Sequence, residues 1–280
     1  MTGPGKRACI IGWPVAHSRS PLIHGHWLEK YGIDGSYVKR PVQPEDAVAF
    51  LRGMRAEGLA GCNVTIPHKE TAFAVADEKK PAARAMGAAN TLWYEGDRLV
   101  AENTDGIGFM NDLVANYPRF NAKGSAVALL GAGGAARAII HAFLEAGAQE
   151  IRVFNRTRAR ADAVAGHFGA RVKPYDWSDR MDRSCDASIL VNATSLGMKG
   201  GAALDMPLEQ LDRACIVADL VYVPLVTPLV AAARERGLSA MDGLGMLLHQ
   251  AVPGFAKWFG VTPEVTPELR ALIVADIEGR

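Results

Sequence analysis

Short apolar runs and amphipathic stretches alternate through the first hundred residues of this chain. Continuous apolar runs predict strands, and apolar residues spaced every three or four positions predict helices. The predicted strands lie at 8–12, 35–38, 59–66 and 91–94, and the predicted helices lie near 21–31, 44–56 and 69–78. Strands separated by helices are typical of βαβ units, so this region predicts an α/β domain with a mainly parallel sheet.

A second alternation runs from about residue 106 to residue 240. Its predicted strands lie at 126–130, 150–154, 188–192 and 216–219, and its predicted helices lie at 134–146, 158–168 and 227–236. This order is typical of a Rossmann-type dinucleotide-binding domain. We therefore expect a second domain of that type.

Two further helices are predicted near the end of the chain, at 246–259 and 267–277. This tail is too short to form a domain of its own, so we expect it to pack back on the first domain. The chain is therefore predicted to be an α/β protein of two domains. The predicted bounds are 1–108, completed by 246–280, for the first domain and 109–245 for the second.

The composition is that of an ordinary globular protein, with 49% hydrophobic and 22% charged residues among 280. The net charge of +1 provides no field that would attract nucleic acid or an anionic membrane. No run approaches the roughly 20 apolar residues that a membrane helix needs. We therefore expect a small-molecule partner, with no nucleic acid and no membrane.

The start of the chain, up to Arg7, is short and polar and lacks the apolar centre of a secretory signal. We expect a cytoplasmic protein that is a monomer or a homodimer. His24 and His26 lack a third ligand at a recognisable spacing, so no metal site is predicted. The cysteines are far apart, which predicts small apolar core residues rather than metal ligands or disulfides: Cys9, Cys62, Cys185 and Cys215.

A glycine-rich turn follows the predicted strand 126–130 and opens a helix: Gly131-Ala132-Gly133-Gly134-Ala135-Ala136. Backbone N–H groups at such a helix start can bind a pyrophosphate, although tight turns also need glycine for conformational reasons alone. The next strand ends in Asn155-Arg156-Thr157-Arg158-Ala159-Arg160, where an NAD-binding chain would carry a carboxylate. Guanidinium groups suit a 2′-phosphate, so this turn predicts NADP; the alternative is a solvated basic turn.

A lysine lies where the predicted strand 59–66 gives way to a helix. Strand ends in open α/β sheets face the ligand crevice, and Thr65 offers a hydroxyl there. Pro67 is placed near the first helical position, which puts Lys69 in the first turn. The helix dipole disfavours a lysine at that position, so Lys69 indicates a functional role.

Asp105 lies at a second junction between a strand and a helix. Taken alone, it is explained as a helix N-cap. A lysine and an aspartate that face each other would instead form a proton-transfer unit, in which Asp105 holds the Lys69 ammonium. Lys69 would then donate or accept the proton of an alcohol, a contribution of roughly 10²–10⁴-fold.

Three further polar groups are candidates for ligand binding. Ser18 and Ser20 precede a helix predicted to begin at Pro21, where small donors suit a carboxylate; an ordinary cap would need Ser20 alone. Asn90 supplies an amide beside a strand start. Gln250 lies on an apolar helix, where its side chain is either exposed or directed at a ligand.

Taken together, these motifs resemble the shikimate dehydrogenases of aromatic amino-acid biosynthesis, and the resemblance covers nearly the whole chain. Each motif alone is weak, whereas the set in this order is specific. The matching segments are Ser18-x-Ser20-Pro21, Asn63-Val64-Thr65-x-Pro67-x-Lys69, Gly87-Ala88-x-Asn90-Thr91, Asn103-Thr104-Asp105-Gly106, the Gly131 turn, Asn155-Arg156-Thr157 and 243–250.

The resemblance implies reversible, NADPH-dependent reduction of 3-dehydroshikimate to shikimate, with Lys69 and Asp105 as catalytic residues. It implies that the substrate carboxylate and ring hydroxyls are bound by Ser18, Ser20, Thr65, Lys69, Asn90, Asp105, Tyr222 and Gln250. It implies that NADP is bound by Gly131, Ala132, Gly133, Gly134, Ala135, Asn155, Arg156, Thr157, Arg160, Thr194, Leu220 and Gly243, with Arg156 and Arg160 nearest the 2′-phosphate.

One segment departs from the family. The family often carries Tyr-Asn-Pro-Leu-x-Thr-Pro where this chain has Tyr222-Val223-Pro224-Leu225-Val226-Thr227-Pro228. Tyr222 is kept, whereas Val223 replaces the asparagine of the family motif.

Two other functions fit parts of the pattern. A quinate/shikimate dehydrogenase would share the scaffold and tolerate an extra ring hydroxyl, but the enzymes of that kind that favour NAD tend to carry an acid after the second strand. A non-catalytic NADP-binding sensor would not need Lys69 and Asp105 together with the paired serines.

Overall fold

The computed structural model describes residues 5–280. The polar start expected before the first strand includes residues 1–4, which lie outside the described residues. The chain divides into two units. The first comprises the residues up to Gly108 together with Leu248–Asp276, and the second comprises Phe109–Leu247 with Ile277–Arg280.

A six-stranded sheet forms the centre of the first unit. Its strands are β1 (Lys6–Gly12), β2 (Gly35–Pro41), β3 (Leu59–Val64), β4 (Glu78–Lys79), β5 (Thr91–Glu95) and β6 (Arg98–Glu102). Their order across the sheet is β2-β1-β3-β5-β6-β4. β1 is parallel to β2 and β3, and β4 to β6, whereas β5 is antiparallel to β3 and β6. The prediction of a mainly parallel sheet is confirmed.

Burial along the strands reflects their place in this sheet. The last five residues of β1 are all buried, as expected for an interior strand with both faces covered, whereas the edge strand β2 is largely exposed. Four helices alternate with the strands, namely α1 (Ser20–Lys30), α2 (Ala47–Gly53), α3 (Lys69–Val75) and α4 (Pro81–Met86).

The second unit contains a six-stranded sheet in which every pairing is parallel. Its strands are β7 (Ala126–Leu130), β8 (Glu150–Asn155), β9 (Val172–Asp176), β10 (Ile189–Asn192), β11 (Ile216–Asp219) and β12 (Ser239–Met241), in the order β12-β11-β10-β7-β8-β9. This is the Rossmann strand order. The chain adds strands on one side of β7 (β8 and β9) and then on the other side (β10, β11 and β12), so the point where the order switches lies between β7 and β10. The prediction of a Rossmann-type domain is confirmed.

Both faces of this sheet are covered by apolar side chains. Val127, Leu129 and Ile139 belong to one buried cluster, and Leu130 and Leu190 belong to another. The helices of this part of the chain are α5 (Asp105–Asn116), α6 (Gly134–Glu145), α7 (Arg158–Phe168), α8 (Pro228–Glu235) and α9 (Leu244–His249).

The C-terminal helices are α10 (Ala251–Phe259) and α11 (Pro267–Glu278). α10 packs on α1, β1, β3 and β5, so the prediction that the tail returns to the first domain is confirmed. The indole N–H of Trp258 donates to the Leu92 carbonyl at 2.8 Å. Gly61 makes room for this ring, because a Cβ there would lie 2.3 Å from Trp258 Nε1.

Some predicted elements differ from the structure. The single helix predicted at 246–259 is wrong, because α9 ends at His249 and α10 begins at Ala251. Four short elements were not predicted: β4, α4, β9 and β12. The strand and the helix predicted without bounds on either side of the Asp105 junction are β6 and α5, and α5 begins at Asp105 itself.

Three cysteines are buried, but Cys185 is exposed. The prediction of a core position is therefore wrong for Cys185, which follows a short helical turn at Asp182–Ser184. Within residues 5–280, no helix has the length and apolar character needed to cross a membrane.

Candidate functional site

Lys69 is the first residue of α3, immediately after the turn that leaves β3. The turn is closed by the His68 N–H, which donates to the Thr65 carbonyl at 3.0 Å. Pro67 precedes the helix by two residues, near the first helical position as predicted, and Lys69 lies in the first turn. The His68 ring is buried against the Val42 carbonyl at 2.8 Å, which anchors the turn.

Lys69 and Asp105 form an ion pair. Lys69 Nζ donates to Asp105 Oδ2 at 2.8 Å, with 31% of the lysine and 17% of the aspartate side chain exposed. The Asn90 amide donates to the other carboxylate oxygen, also at 2.8 Å. Asp105 therefore uses both oxygens on side chains brought from other elements.

The alternative in which Asp105 is merely a helix cap is wrong. Asp105 is the first residue of α5, and its own backbone N–H donates to Asn103 Oδ1 at 3.1 Å. The Asn103 side chain thus binds the first turn of the helix. This leaves the Asp105 carboxylate for Lys69 and Asn90.

Buried hydroxyl groups fix which way the Asn90 amide points. Asn90 Oδ1 accepts the backbone N–H of Thr104 at 2.9 Å and lies 3.0 Å from Thr91 Oγ1. The Thr104 hydroxyl donates its only proton to the Gln250 backbone carbonyl at 2.9 Å. The Thr91 proton is then the one that Asn90 Oδ1 accepts. Because Oδ1 faces these donors, the amide N–H₂ must face Asp105.

The same network continues to the other side of the first unit. Asn63 Nδ2 donates to Thr91 Oγ1 at 3.1 Å, and Asn63 Oδ1 accepts the Tyr37 hydroxyl at 2.6 Å. Burial raises the pKa of Tyr37 well above its usual value, the Cys9 and Cys62 thiols act in the same direction, and a hydrogen bond with Ser20 lowers it. Asn63 therefore links Tyr37 to the hydrogen-bond network that ends at Asp105.

Ser18 and Ser20 contact each other at the start of α1. The Ser20 N–H donates to Ser18 Oγ at 3.3 Å, and the two hydroxyl oxygens are also 3.3 Å apart. α1 begins at Ser20, and the preceding Arg19 makes no side-chain cap. The alternative in which Ser20 alone caps this helix is wrong, because Ser18 binds the first turn.

Gln250 is the single residue between α9 and α10, so it lies at the break between the two helices. Its backbone carbonyl accepts the Thr104 hydroxyl, and its half-buried side-chain oxygen accepts from Asn90 Nδ2 at 3.5 Å. The sequence left this side chain either exposed or directed at a ligand. The structure places it beside the Asn90 amide.

The glycine turn after β7 leaves open space at the start of α6. Gly131 has φ +106°, and a Cβ there would lie 3.0 Å from the Thr194 side chain and 3.1 Å from the Ala193 carbonyl. A Cβ at Gly133 or Gly134 would meet open space. The first N–H groups of α6 have no acceptor within the helix, so they are available to an anion.

A cavity of about 250 Å³ lies against this turn and is lined by Gly131, Asn155, Arg156, Arg160 and Thr194, among others. Arg156 and Arg160 are exposed, and neither has an acidic partner within residues 5–280. Their donors are therefore available to a phosphate, which fits the group that NADP carries and NAD lacks.

Arg158 is engaged elsewhere in this basic turn. It pairs with Asp162 at 2.9 Å and with Asp176 at 3.5 Å. The hydrogen bond with Asp162 raises the pKa of Arg158. The three arginines are thus not equivalent.

A buried polar cluster orders the loops that follow β10 and β11. Asn192 Oδ1 accepts the Thr194 hydroxyl at 2.7 Å, and Asn192 Nδ2 donates to Asp219 at 2.9 Å. Asp219 also accepts the Thr227 hydroxyl at 2.6 Å. The pKa of Asp219 lies above its usual value, because burial raises it more than the hydrogen bonds from Thr227, Val221 and Asn192 lower it.

The loop that carries Tyr222 is ordered without the asparagine that the family often has. Thr227 caps α8 and donates to Asp219, and the Val223 carbonyl accepts the Lys199 N–H at 2.9 Å. None of these bonds uses the side chain of residue 223. Gly243 packs against this loop, because a Cβ there would lie 2.2 Å from the Leu220 carbonyl.

The structure joins Lys69, Asp105, Asn90 and Gln250 directly in the first unit, and it joins the glycine turn, Arg156, Arg160 and Thr194 around one cavity in the second. Thr65 lies half-buried directly after β3, where its methyl group occupies the space beside Gly12. The sequence analysis did not assign Tyr37, Asn63, Thr91 or Thr104 to the site. Asn63, Thr91 and Thr104 do lie inside its motifs, whereas no sequence signal marks Tyr37.

Three family models match the chain. They are the shikimate dehydrogenase substrate binding domain at residues 10–92, shikimate / quinate 5-dehydrogenase at 114–199, and the shikimate 5′-dehydrogenase C-terminal domain at 243–272. The matches fall on the Ser18 and Lys69 motifs, on the glycine and arginine turns, and on the Gln250 segment.

Relatives cover nearly the whole chain. A shikimate dehydrogenase (NADP(+)) from Azorhizobium caulinodans is 53% identical over 98% of this chain and 98% of its own length. One from Paracoccus denitrificans is 51% identical over 96% and 95%. The crystal structure of shikimate 5-dehydrogenase from Thermus thermophilus in complex with NADP(H) and shikimate superposes with a TM-score of 0.84, at 37% identity over 96% of this chain and 99% of that one. The chain therefore belongs to the shikimate dehydrogenase family.

Proposed function

We propose that this protein catalyses the reversible, NADPH-dependent reduction of 3-dehydroshikimate to shikimate, a step of chorismate and aromatic amino-acid biosynthesis. The observation that carries this proposal is the Lys69–Asp105–Asn90 network in a chain of this family. In this proposal, the domain expected at 1–108, completed by 246–280, binds the substrate. The domain expected at 109–245 binds NADP.

Lys69 handles the proton of the reaction. Bound NADPH supplies the hydride that reduces the substrate carbonyl carbon. The Lys69 ammonium donates its proton to the carbonyl oxygen, which becomes the alcohol. In the reverse direction, neutral Lys69 accepts the hydroxyl proton as the hydride leaves. Asp105 holds Nζ in place and balances its charge, and Asn90 holds Asp105.

The substrate carboxylate is assigned to Ser18 and Ser20, and the ring hydroxyls to the other polar groups. The proximity of Lys69, Asp105, Asn90 and Gln250 supports this assignment, because a polyhydroxylated ring needs several donors and acceptors close together. The full substrate set is Ser18, Ser20, Thr65, Lys69, Asn90, Asp105, Tyr222 and Gln250.

The NADP phosphates are assigned to the glycine turn and the basic turn. The free donors of Arg156 and Arg160 beside the Gly131 cavity support a 2′-phosphate site. The full cofactor set is Gly131, Ala132, Gly133, Gly134, Ala135, Asn155, Arg156, Thr157, Arg160, Thr194, Leu220 and Gly243.

A steady-state comparison of kcat/KM with four substrate pairs tests the proposal. Shikimate with NADP should be the best pair, ahead of shikimate with NAD, quinate with NADP and quinate with NAD. Equal turnover of quinate and shikimate would support the broader quinate/shikimate dehydrogenase instead. NADP binding without turnover of either acid would overturn the proposal in favour of a sensor.

The cellular location and the oligomeric state of the protein are also part of this proposal. A biosynthetic role supports the cytoplasmic location expected from the sequence, which fractionation of the source cells would check. We expect a monomer or a homodimer, which light scattering at working concentrations distinguishes.

A further inference from the structure

Trp177 lines the same cavity as Arg156 and Arg160 and has no role in the function proposed above. It follows β9 directly, at the start of a short helical turn, Trp177–Arg180. Asn155, which ends β8, pairs with Asp176 at the end of β9. The indole and the basic turn therefore lie at the carboxyl ends of neighbouring parallel strands.

One side of the indole is covered by a fixed cation. The Arg180 guanidinium carbon lies 4.9 Å from the centre of the Trp177 ring. Arg180 is itself buried and donates to the Asp205 carbonyl at 2.9 and 3.0 Å and to the Trp177 carbonyl at 2.8 Å. Because these bonds hold the guanidinium, the half-buried ring has a fixed orientation and still contributes surface to the cavity.

The chemistry of NADP limits what can reach this surface. The 2′-phosphate and the adenine are carried by the same ribose, so a phosphate held by Arg156 and Arg160 brings the base into the same cavity. A planar base beside an aromatic side chain gains stacking energy. Trp177 is the only tryptophan between residues 109 and 247, since the others are Trp13, Trp27, Trp93 and Trp258.

We propose that Trp177 binds the adenine of NADP by stacking, with Arg180 fixing the indole from its other side. This inference rests on the proposed NADP site and adds a contact that the phosphate-binding residues do not supply. It makes recognition of the adenosine half depend on two parts, the basic turn after β8 and the indole after β9.

The experiment uses the whole protein and 2′,5′-ADP, which carries the adenine and the 2′-phosphate but no nicotinamide. Calorimetry measures its affinity, and tryptophan fluorescence reports the environment of Trp177. The variants are Trp177→Ala, Trp177→Phe and, as a matched control on an exposed tryptophan of the first unit, Trp13→Phe. Unchanged circular dichroism and melting temperature establish that each variant is folded.

We expect 2′,5′-ADP to quench the fluorescence of the wild type and of Trp13→Phe, but not of Trp177→Phe. Trp177→Ala should weaken 2′,5′-ADP binding by about 5- to 150-fold, and Trp177→Phe, which keeps an aromatic ring, by less than about fivefold. The KM for NADP should rise in the same order, whereas Trp13→Phe should keep the wild-type kcat and KM.

Two results would overturn the proposal, and they differ in what else they affect. If the wild type binds 2′,5′-ADP while Trp177→Ala binds it equally well and the quench persists in Trp177→Phe, the indole serves only to pack Arg180. The NADP site then stands without it. If the wild type binds neither 2′,5′-ADP nor NADP, the proposed cofactor site fails together with the role of Trp177.

Discussion

The two candidate half-sites are built in different ways. In the first unit, the functional side chains bind one another: Lys69 to Asp105, Asp105 to Asn90, and Asn90 to Thr91. In the second unit, the cavity is shaped by the backbone of the Gly131 turn, and the two arginines beside it have no acidic partner within the described residues.

The difference follows from what each half must do. A proton donor must be held within hydrogen-bond reach of one atom, so its partners are fixed in advance. A phosphate can be held by any set of free donors in the right concave surface, so its ligands remain available until it arrives. We therefore expect substitutions in the first half to affect turnover and those in the second half to affect cofactor affinity.

The largest effect is expected from Lys69→Ala. Loss of the proton donor should lower kcat by roughly 10²–10⁴-fold. NADP affinity should stay near that of the wild type, because the residues assigned to the cofactor belong to the second unit. Steady-state kinetics and a direct NADP titration check both parts, and a folded variant that retains a third of the wild-type kcat would refute the role of Lys69.

A smaller but more selective effect is expected from Arg160→Ala. A lost hydrogen bond to a charged phosphate corresponds to about 1.5–3 kcal/mol, so the KM for NADP should rise about 10- to 150-fold. The KM for NAD should barely change. Arg158→Ala is the matched control, because Arg158 already pairs with Asp162 and Asp176. Equal losses with NADP and NAD would mean that Arg160 supports structure.

The pH dependence of stability tests the interior of the first unit. His24 is buried among Tyr37, Trp27 and Phe255, and burial lowers its pKa from 6.5 to about 3, while Asn63 opposes the shift in part. At pH values between about 3 and 6.5, His24 binds a proton in the unfolded chain but not in the folded chain. This group should therefore lower the free energy of unfolding by about 1.4 kcal/mol for each pH unit on acidification.

Urea unfolding at several pH values between 4 and 7 measures that slope. His24→Phe keeps a ring of similar size and should flatten the slope. His17→Asn, at an exposed position, should leave it unchanged. A slope that persists in His24→Phe would show that other groups cause it.

The smallest effect is expected from Thr91→Val, which keeps the shape of the side chain and removes its hydroxyl. Asn90 then loses one donor and Asn63 loses an acceptor, so kcat/KM for shikimate should fall about 3- to 10-fold. The KM for NADP should not change. Thr91→Ser keeps the hydroxyl and should restore most of the activity; if it is as impaired as Thr91→Val, the methyl group matters instead.

The sequence predicts the second unit better than the first because its signals are local. The glycine turn and the arginine turn are each read from a few consecutive residues, and the predicted alternation of strands and helices agrees with the Rossmann sheet. The sequence also places Lys69 in the first turn of a helix, where the dipole argument marks it as unusual, and it offers pairing with Asp105 as the alternative to a helix cap.

The parts of the site that the sequence does not predict depend on contacts between residues far apart in the chain. Tyr37 and Asn63 are 26 positions apart, and Thr104 and Gln250 are 146 apart, so no pattern along the chain reveals their hydrogen bonds. The missed hairpin between β5 and β6 does have a local signal, since Gly96-Asp97 separates two apolar runs. By contrast, β4 and β12 have two and three residues, which is too short for any periodicity.

The central claim is that side chains act as one unit within the first half-site and separately between the two halves. Two double-mutant cycles on kcat/KM for shikimate test it in one experiment, one for Lys69→Ala with Asp105→Asn and one for Lys69→Ala with Arg160→Ala. The first pair should lose less than the product of its single losses, and the second pair should lose the product. Independent losses for Lys69 and Asp105, or strong coupling of Lys69 to Arg160, would contradict the account.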